Sequence, residues 1–215
     1  MLCSDVVAQV NMTLNDPNNT LFTETQKITA LNDALLALVA VRPDAAATTA
    51  VRLLAAGTQQ TIPDDGVALI RVIRNAGESG LSATGRAIRR VDADTLDAVM
   101  PTWHSATGQA EVREYTYDAR SPREFYVNPP ATGTPTIGVL LTYVKPPAAV
   151  SASSETFPVD DRFAPAVQAF MLYRLWGGDD ESSPNYQAAQ SQFSAFQTLL
   201  GLRASGDNML FGGKA

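Results

Sequence analysis

The stretch VRLLAAGTQQTIPDDGVALIRVIRN, residues 51–75, shows that the chain is not entirely helical. Its two apolar runs, VRLLAAG (51–57) and VALIRVIRN (67–75), are typical of strands because they are short and are bounded by turn-forming residues. The polar segment between them contains PDDG (63–66), in which proline presets φ, aspartate tolerates turn geometry and glycine permits positive φ. The segment is therefore predicted to be a shaped turn rather than a phosphate-binding or catalytic loop.

Two helices are predicted before this stretch. Ser4 is a favoured N-cap residue for a first helix, which the sequence DPNN (16–19) ends. Thr23 and Gln26 have the spacing of a capping box and start a second helix, whose apolar residues recur on one face. Proline disfavours helical geometry at the residue before it, so Pro43 is expected to end this helix near residue 41.

The middle of the chain is predicted to be rich in strands. RAIRRV (86–91) is interpreted as a strand, and a short capped helix follows it. Three further strands are predicted in EVREYTYDA (111–119), EFYVNPP (124–130) and TIGVLLTYV (136–144), and we expect them to form an antiparallel meander. The proline- and serine-rich residues 146–158 are expected to be an extended connection.

Two more helices are predicted after the strands. The first begins at Asp160 or Asp161 and runs to about Trp176, with apolar residues nearly all round, as is typical of a helix buried on several sides. The second begins at Pro184, and its aromatic and aliphatic residues recur at alternating spacings of three and four. Gly201 is expected to end it.

The predicted fold class is α+β. The N- and C-terminal helix pairs, residues 1–45 and 159–202, are expected to pack as a helical bundle, and residues 46–158 to form a β-rich insertion.

The glycine-rich residues 203–215 are expected to form an extended C-terminal tail. Its apolar group of Met209, Leu210 and Phe211 has too little area to fold by itself. Such a tail is either disordered or becomes ordered when it docks on a partner, with the apolar side chains in pockets.

Composition restricts the classes of function. The 215 residues carry a net charge of −6 and no run of lysine and arginine, which argues against binding to nucleic-acid phosphates. Charged residues make up only 18%, which fits a surface that partly meets protein. The apolar runs are too short to span a bilayer and the N-terminus lacks the pattern of a signal peptide, so we expect synthesis in a cytosol.

Candidate catalytic and metal-binding residues are few. The single histidine, His104, has no partners at the spacing of a catalytic triad, and with the single cysteine, Cys3, it cannot form a four-ligand zinc site. The paired acids coincide with turns or helix starts, where carboxylates cap the backbone. These groups are Asp64–Asp65, Asp92–Asp94, Asp160–Asp161 and Asp179–Asp180–Glu181. No catalytic, cofactor-binding or metal-binding residue is predicted, and a hydrolase that uses paired carboxylates is the enzymatic alternative.

Five short segments occur in an order that resembles the adaptor, or head-to-tail connector, proteins of tailed bacteriophages. They are AAGTQQTIP (55–63), IRN (73–75), LDAVMPTW (96–103), EFYVNPP (124–130) and YRLW (173–176). The resemblance implies a helical core with a β-rich insertion, and a dodecameric ring beneath the portal that extends the DNA channel. A tail-completion protein or another ring of the neck is the alternative.

The resemblance also implies the partners and the location. The partners are copies of the chain itself, the portal protein and the tail or nozzle proteins, in the neck of a virion whose parts are made in the bacterial cytoplasm. DNA would pass through an acidic lumen during ejection without specific binding, and neither a cofactor nor a membrane is involved.

Two groups of contact residues are predicted within this hypothesis. The candidates for contacts between subunits or with partners lie in the matched segments and are Gln59, Gln60, Pro63, Trp103, Phe125 and Tyr126. Packing of the insertion is the alternative role for the three aromatic residues. The candidates for portal binding lie in the tail, outside the matched segments, and are Met209, Leu210 and Phe211.

Overall fold

The structure, a computed structural model, describes residues 1–76, 85–178 and 184–211, with side chains as far as residue 201. The chain forms two compact units. We call them the helical unit, Met1–Ala46 with Pro147–Ala215, and the β unit, Ala47–Pro146. The predicted α+β class is confirmed.

The described elements follow the chain in this order. The first half contains α1 (Cys3–Leu14), α2 (Glu24–Val41), β1 (Ala47–Leu53), β2 (Gly57–Thr61), β3 (Ala68–Ala76), β4 (Arg89–Arg90) and α3 (Ala93–Val99). The second half contains β5 (Glu114–Thr116), β6 (Glu124–Ala131), β7 (Gly138–Val144), α4 (Ala164–Trp176) and α5 (Pro184–Phe211).

The start of α2 has the capping box that its sequence predicts. The Gln26 backbone N–H donates to Thr23 Oγ1 at 3.3 Å, and the Thr23 N–H donates to Gln26 Oε1 at 2.8 Å. These bonds satisfy two donors that have no partner within the helix. The helix ends at Val41, two residues before Pro43, as predicted.

Helix α4 lies at the centre of the helical unit and packs against α1, α2 and α5. Its apolar character on most sides follows from this position, because each side meets a different helix. The core includes Val10 of α1, Leu31 of α2, Val167 and Met171 of α4, and Phe196 of α5.

A fully buried ion pair lies in the helical unit at the connection between α1 and α2. Lys27 Nζ is 2.9 Å from Asp16 Oδ2, and neither side chain is exposed. Lys27 also donates to Asn19 Oδ1 at 2.7 Å, while the backbone N–H groups of Thr20 and Phe22 donate to the Asp16 carboxylate. Burial of charge is tolerable here because each charged group has several partners.

The extended residues 147–158, which the sequence predicts to end the insertion, belong to the helical unit. Val150 and Phe157 are part of its core. The Asn32 side chain forms two hydrogen bonds with the backbone of Val150. It accepts from the Val150 N–H at 2.8 Å and donates to the Val150 carbonyl at 2.9 Å. Proline and serine content therefore does not mark the boundary between the units.

Helix α5 does not end at Gly201, as its glycine predicted, but continues to Phe211. A glycine inside a helix costs only about 1 kcal/mol relative to alanine, and no proline follows to stop the helix. Residues 203–211 are consequently helical rather than extended. The side chains of Met209, Leu210 and Phe211 lie outside the described residues.

The β unit contains two sheets, a three-stranded sheet in the order β1-β7-β3 and a four-stranded sheet in the order β2-β6-β5-β4. The predicted meander of β5, β6 and β7 is therefore wrong. Strand β6 pairs antiparallel with β5, but β7 pairs antiparallel with β1 and β3. An apolar pattern identifies a strand but does not identify its partner.

Two smaller predictions about strands also differ from the structure. The segment Gly57–Thr61 is strand β2 rather than part of a turn, and only Pro63–Gly66 forms the turn, with the Gly66 N–H bonded to the Pro63 carbonyl at 2.9 Å. The strand predicted at 86–91 is reduced to Arg89–Arg90, parallel to β5.

Pro129 and Pro130 lie inside β6 instead of stopping it. On the β5 side, the last residue of β6 that pairs is Asn128, so both prolines lie beyond the ladder. On the β2 side, they lie at the register shift between Gly57 and Gln59. A proline lacks the backbone N–H, but at these positions no ladder hydrogen bond requires it.

The two sheets enclose one apolar core of the β unit. Leu69 of β3 and Leu141 of β7 contribute from the three-stranded sheet, and Tyr115 of β5 and Phe125 of β6 contribute from the four-stranded sheet. Successive side chains of a strand point to opposite sides, so each sheet also has an outer face that is turned away from this core.

Candidate functional site

The two glutamines of the predicted contact region have opposite environments. Gln60 is buried, and its amide accepts from the Ala55 N–H at 2.8 Å and donates to the Ala55 and Gly57 carbonyls at 2.8 Å and 3.1 Å. It therefore holds the chain before β2. Gln59 is exposed and donates to Glu124 Oε2 at 3.1 Å.

The three aromatic candidates also differ in exposure. Phe125 is completely buried in the core of the β unit. Trp103 is almost completely buried, and its Nε1 donates to Asp97 Oδ1 at 2.8 Å. Tyr126 is only half-buried, and the register of β2 and β6 places it opposite Gln59.

His104 is held at this surface by its neighbours. Its ring stacks on Trp103 with centroids 3.7 Å apart and meets the edge of Tyr126 at 5.6 Å. Its Nδ1 is 2.9 Å from Thr58 Oγ1. These contacts fix the orientation of the exposed His104 ring.

Pro63 is half-buried in the turn after β2. Side chains in and just after β7 hold this turn in place. Tyr143 donates its hydroxyl to Asp65 Oδ1 at 3.0 Å, and Lys145 Nζ is 2.9 Å from Asp65 Oδ2. The hydrogen bond with Lys145, and next the one with Tyr143, lower the pKa of Asp65, so this acid is an ionised turn anchor.

An open cleft of about 860 Å³ lies on the outer face of the four-stranded sheet. Its lining includes Thr116 and Tyr126, whose side chains are on this outer face, and also Tyr117. Its charged lining residues are Arg90, Asp92, Asp94, Asp118, Arg120 and Glu124. Because these are four carboxylates and two guanidinium groups, the formal charge of the lining is −2, and we call this feature the acidic cleft.

The charged groups of the acidic cleft are partly organised by each other. The hydrogen bond from Arg120 lowers the pKa of Asp118, and the two groups are 3.0 Å apart. The Arg90 guanidinium lies over the Tyr117 ring, 5.7 Å from its centroid, and donates to the Tyr117 carbonyl at 3.3 Å. Asp118 is therefore an ionised partner of Arg120 rather than a protonated general acid.

The outer face of the three-stranded sheet has a different character. Alternation along the strands assigns to it Thr49, Val51 and Leu53 of β1, Arg71 and Arg74 of β3, and Leu140 and Thr142 of β7. The three strands contain no acidic residue. We call this outer face the arginine face.

The arginine face exposes apolar as well as basic groups. Leu53 is 53% exposed, and Val51 and Leu140 are half-buried beside it. The Thr49 and Thr142 hydroxyls form a cross-strand bond of 3.0 Å. Sequence reasoning did not identify this face or the acidic cleft, because each becomes visible only when the partners of β7 and β6 are known.

The predicted acid pairs have different surroundings. Asp160 accepts from the Arg162 N–H at 2.9 Å, and Asp161 binds the amino group of Met1 at 3.1 Å. Asp92 is the N-cap residue of α3 and Asp94 is in its first turn, but the Asp92 side chain forms no capping hydrogen bond, and both acids line the acidic cleft. The group Asp179–Asp180–Glu181 lies outside the described residues.

The described residues contain neither a metal-binding cluster nor a membrane-spanning helix. Within them, no group of three or more histidine, cysteine or acidic side chains is arranged to hold a metal ion. No helix in the described ranges combines the length and the apolar character needed to cross a membrane.

The chain was then compared with known proteins. A family model described as SU10 adaptor protein matches residues 1–212. No curated protein matches the chain.

Proposed function

Because the chain belongs to the SU10 adaptor protein family, we propose that it forms a ring beneath the phage portal, extends the DNA channel and provides the surface on which tail proteins dock. A phage adaptor is a structural component of the virion neck, where it contacts other capsid or tail components. The family match over residues 1–212 is the observation that carries this proposal.

The β unit is suited to contacts with several neighbours. A subunit of a closed ring has to present two different surfaces, one to each adjacent copy. The outer faces of the two sheets are such a pair, since the arginine face is apolar and basic while the acidic cleft is polar and acidic. Gln59 and Tyr126 lie at the four-stranded sheet, so we keep both as proposed contact residues. Gln60, Trp103 and Phe125 are buried and are not kept.

The charge of the chain supports passage of DNA without specific binding. A net charge of −6 per copy, repeated around a ring, gives a negative lumen that repels phosphates and lowers adhesion. A channel that extends the portal needs this property, because attachment to its wall would slow ejection.

The C-terminal end of α5 is our candidate for attachment to the portal. It carries Met209, Leu210 and Phe211 on its last described turn. A short helical segment with clustered apolar residues can dock into a groove of a partner protein. The portal is the partner that we propose, in keeping with a position directly beneath it.

Imaging of the assembled virion by electron cryo-microscopy tests the proposed function. We expect the chain to appear as a closed ring that contacts the portal on one side and a tail component on the other. A position lower in the neck, without portal contact, would indicate a tail-completion protein. Absence of the chain from the particle would contradict any structural role.

A further inference from the structure

We propose that neighbouring copies of this chain meet through their β units, with the arginine face of one copy against the acidic cleft of the next. This inference rests on the proposed ring and adds to it the two surfaces that form each contact. The partner is a second copy of the chain.

The first argument is the position of the two surfaces within the β unit. The arginine face and the acidic cleft are on the outer sides of two sheets that share one core, so they point away from each other. A contact between two different surfaces of identical subunits is heterologous, and it generates a ring when the rotation closes. Surfaces on opposite sides of one rigid unit allow each copy to bind two neighbours at once.

The second argument is charge. The strands that form the arginine face carry Arg52, Arg71 and Arg74 and no carboxylate. Arg52 is turned towards β2, where it donates to the Thr61 carbonyl at 3.2 Å, while Arg71 is exposed and has no ion pair with any residue that the structure describes. The lining of the acidic cleft has two carboxylates in excess. Opposite charges on the two surfaces favour this pairing over contacts between two equal surfaces.

The third argument is the mixture of groups on both surfaces. The arginine face offers Leu53, Val51 and Leu140 for burial beside its guanidinium groups. The lining of the acidic cleft offers Tyr126, which is half-buried on the outer face and whose ring supplies apolar area. Interfaces between proteins are enriched in tyrosine and arginine and are depleted in lysine and acidic residues at their centres. The acidic cleft has Tyr126 and two arginines, Arg90 and Arg120, among its lining residues.

Charge reversal at Arg71 tests the arginine face in the full-length protein. We expect Arg71→Glu to raise the protein concentration needed for ring formation by about tenfold or more, as measured by native mass spectrometry over a range of concentrations. Arg71→Lys keeps the charge at the same position and is expected to assemble close to wild type. Thermal unfolding of both variants shows whether the fold is retained.

Charge reversal on the opposite surface tests the pairing itself. Asp94 is exposed and lines the acidic cleft. We expect Asp94→Arg alone to weaken assembly, and the double variant Arg71→Glu with Asp94→Arg to assemble better than either single variant, because the opposite charges then face each other again. If Arg71 and Asp94 do not face each other across the interface between two copies, the double variant is not expected to recover assembly.

The outcomes separate this inference from the proposed function. Rings that form normally with a folded Arg71→Glu variant, or single-variant defects that simply add in the double variant, overturn the pairing of surfaces but leave the ring in place. A wild-type chain that stays monomeric at every concentration overturns the contact between copies, while imaging of the virion still decides its place in the neck.

Discussion

The buried pair of Asp16 and Lys27 is the strongest single constraint on the connection between α1 and α2. Each group has several partners, and neither side chain reaches solvent. The sequence DPNN (16–19) predicts only the end of a helix, because hydrophobic periodicity does not reveal a charged side chain that is buried. Lys27 lies in the first turns of α2, where a lysine is ordinarily expected to be exposed.

Replacement of Lys27 by methionine isolates the value of this pair. Methionine keeps most of the apolar stem and removes the cation, so the Asp16 carboxylate stays buried without its counter-charge. We expect the free energy of unfolding to fall by about 3–5 kcal/mol, as measured by urea denaturation. Lys145→Met is the matched control, because Lys145 pairs with Asp65 at a half-exposed position and should cost less than about 1 kcal/mol. Equal losses in the two variants would contradict this assignment.

Acid should weaken the helical unit through the same carboxylate. Burial opposes the ionisation of Asp16, but hydrogen bonds from Lys27 and from the backbone N–H groups of Phe22 and Leu21 outweigh it and hold the pKa of this group well below its ordinary value. Its contribution to stability is therefore complete above about pH 4 and is lost as the pH falls towards the lowered value. We expect urea midpoints to decline less steeply between about pH 5 and pH 2 in Lys27→Met than in wild type. Parallel declines would show that Asp16 is not responsible.

At the level of elements, helix boundaries were the most predictable feature. The reciprocal bonds of Thr23 and Gln26 begin α2 and Pro43 follows its end, because both signals act on the local backbone alone. Strand β2 was not predicted, since its residues GTQQT show no apolar alternation. Gln60 is a buried polar residue of this strand, and its hydrogen bonds to Ala55 and Gly57 satisfy its amide group. These partners come into place only when the loop before β2 is folded.

Pairing of strands depended on contacts that are distant in the chain. Strand β7 lies between β1 and β3, so its partners are more than sixty residues earlier in the sequence. The candidate surfaces depend on this pairing, because it places Arg71 opposite Thr142 on one outer face. From residue type alone, Gln59, Tyr126 and Phe125 were all predicted to contact other subunits or partners. The structure shows that Phe125 is instead buried in the core.

The continuation of α5 through Gly201 can be tested by a single substitution. A Cβ at this position would meet no atom within 4 Å. We expect Gly201→Ala to raise the free energy of unfolding by up to about 1 kcal/mol, because alanine has the higher helix propensity. If Gly201 instead ended the helix in a left-handed conformation, alanine would lower stability. Urea denaturation distinguishes the two signs, and Gly178→Ala, which is equally open but lies after α4, is the control.

At the level of the whole molecule, the helical unit and the β unit have separate apolar cores. The α+β class could be predicted because the periodicity changes from helical to strand-like near residue 47 and back before α4. The family resemblance was carried by segments from both units, YRLW (173–176) in one and EFYVNPP (124–130) in the other. The match over residues 1–212 confirms it.

Deletion of residues 203–215 tests the proposed attachment to the portal. We expect the truncated chain to keep the thermal unfolding midpoint of the full chain within a few degrees, since all core residues that the structure describes come before residue 202. Its binding to purified portal protein should fall at least about tenfold, because the apolar residues Met209, Leu210 and Phe211 are removed. Unchanged binding in a pull-down titration would exclude the tail as the attachment segment.

The pairing of Ala47 with Val144 places the first and last strands of the β unit side by side. The two ends of the β unit are consequently next to each other, so residues 47–146 form an insertion whose first and last residues are close in space. Replacement of residues 47–146 by a short glycine–serine bridge should therefore leave a polypeptide with a cooperative helical melt by circular dichroism. During evolution, one contiguous piece of gene could be exchanged for another with different outer surfaces, while the four-helix half keeps its own architecture and its own contacts.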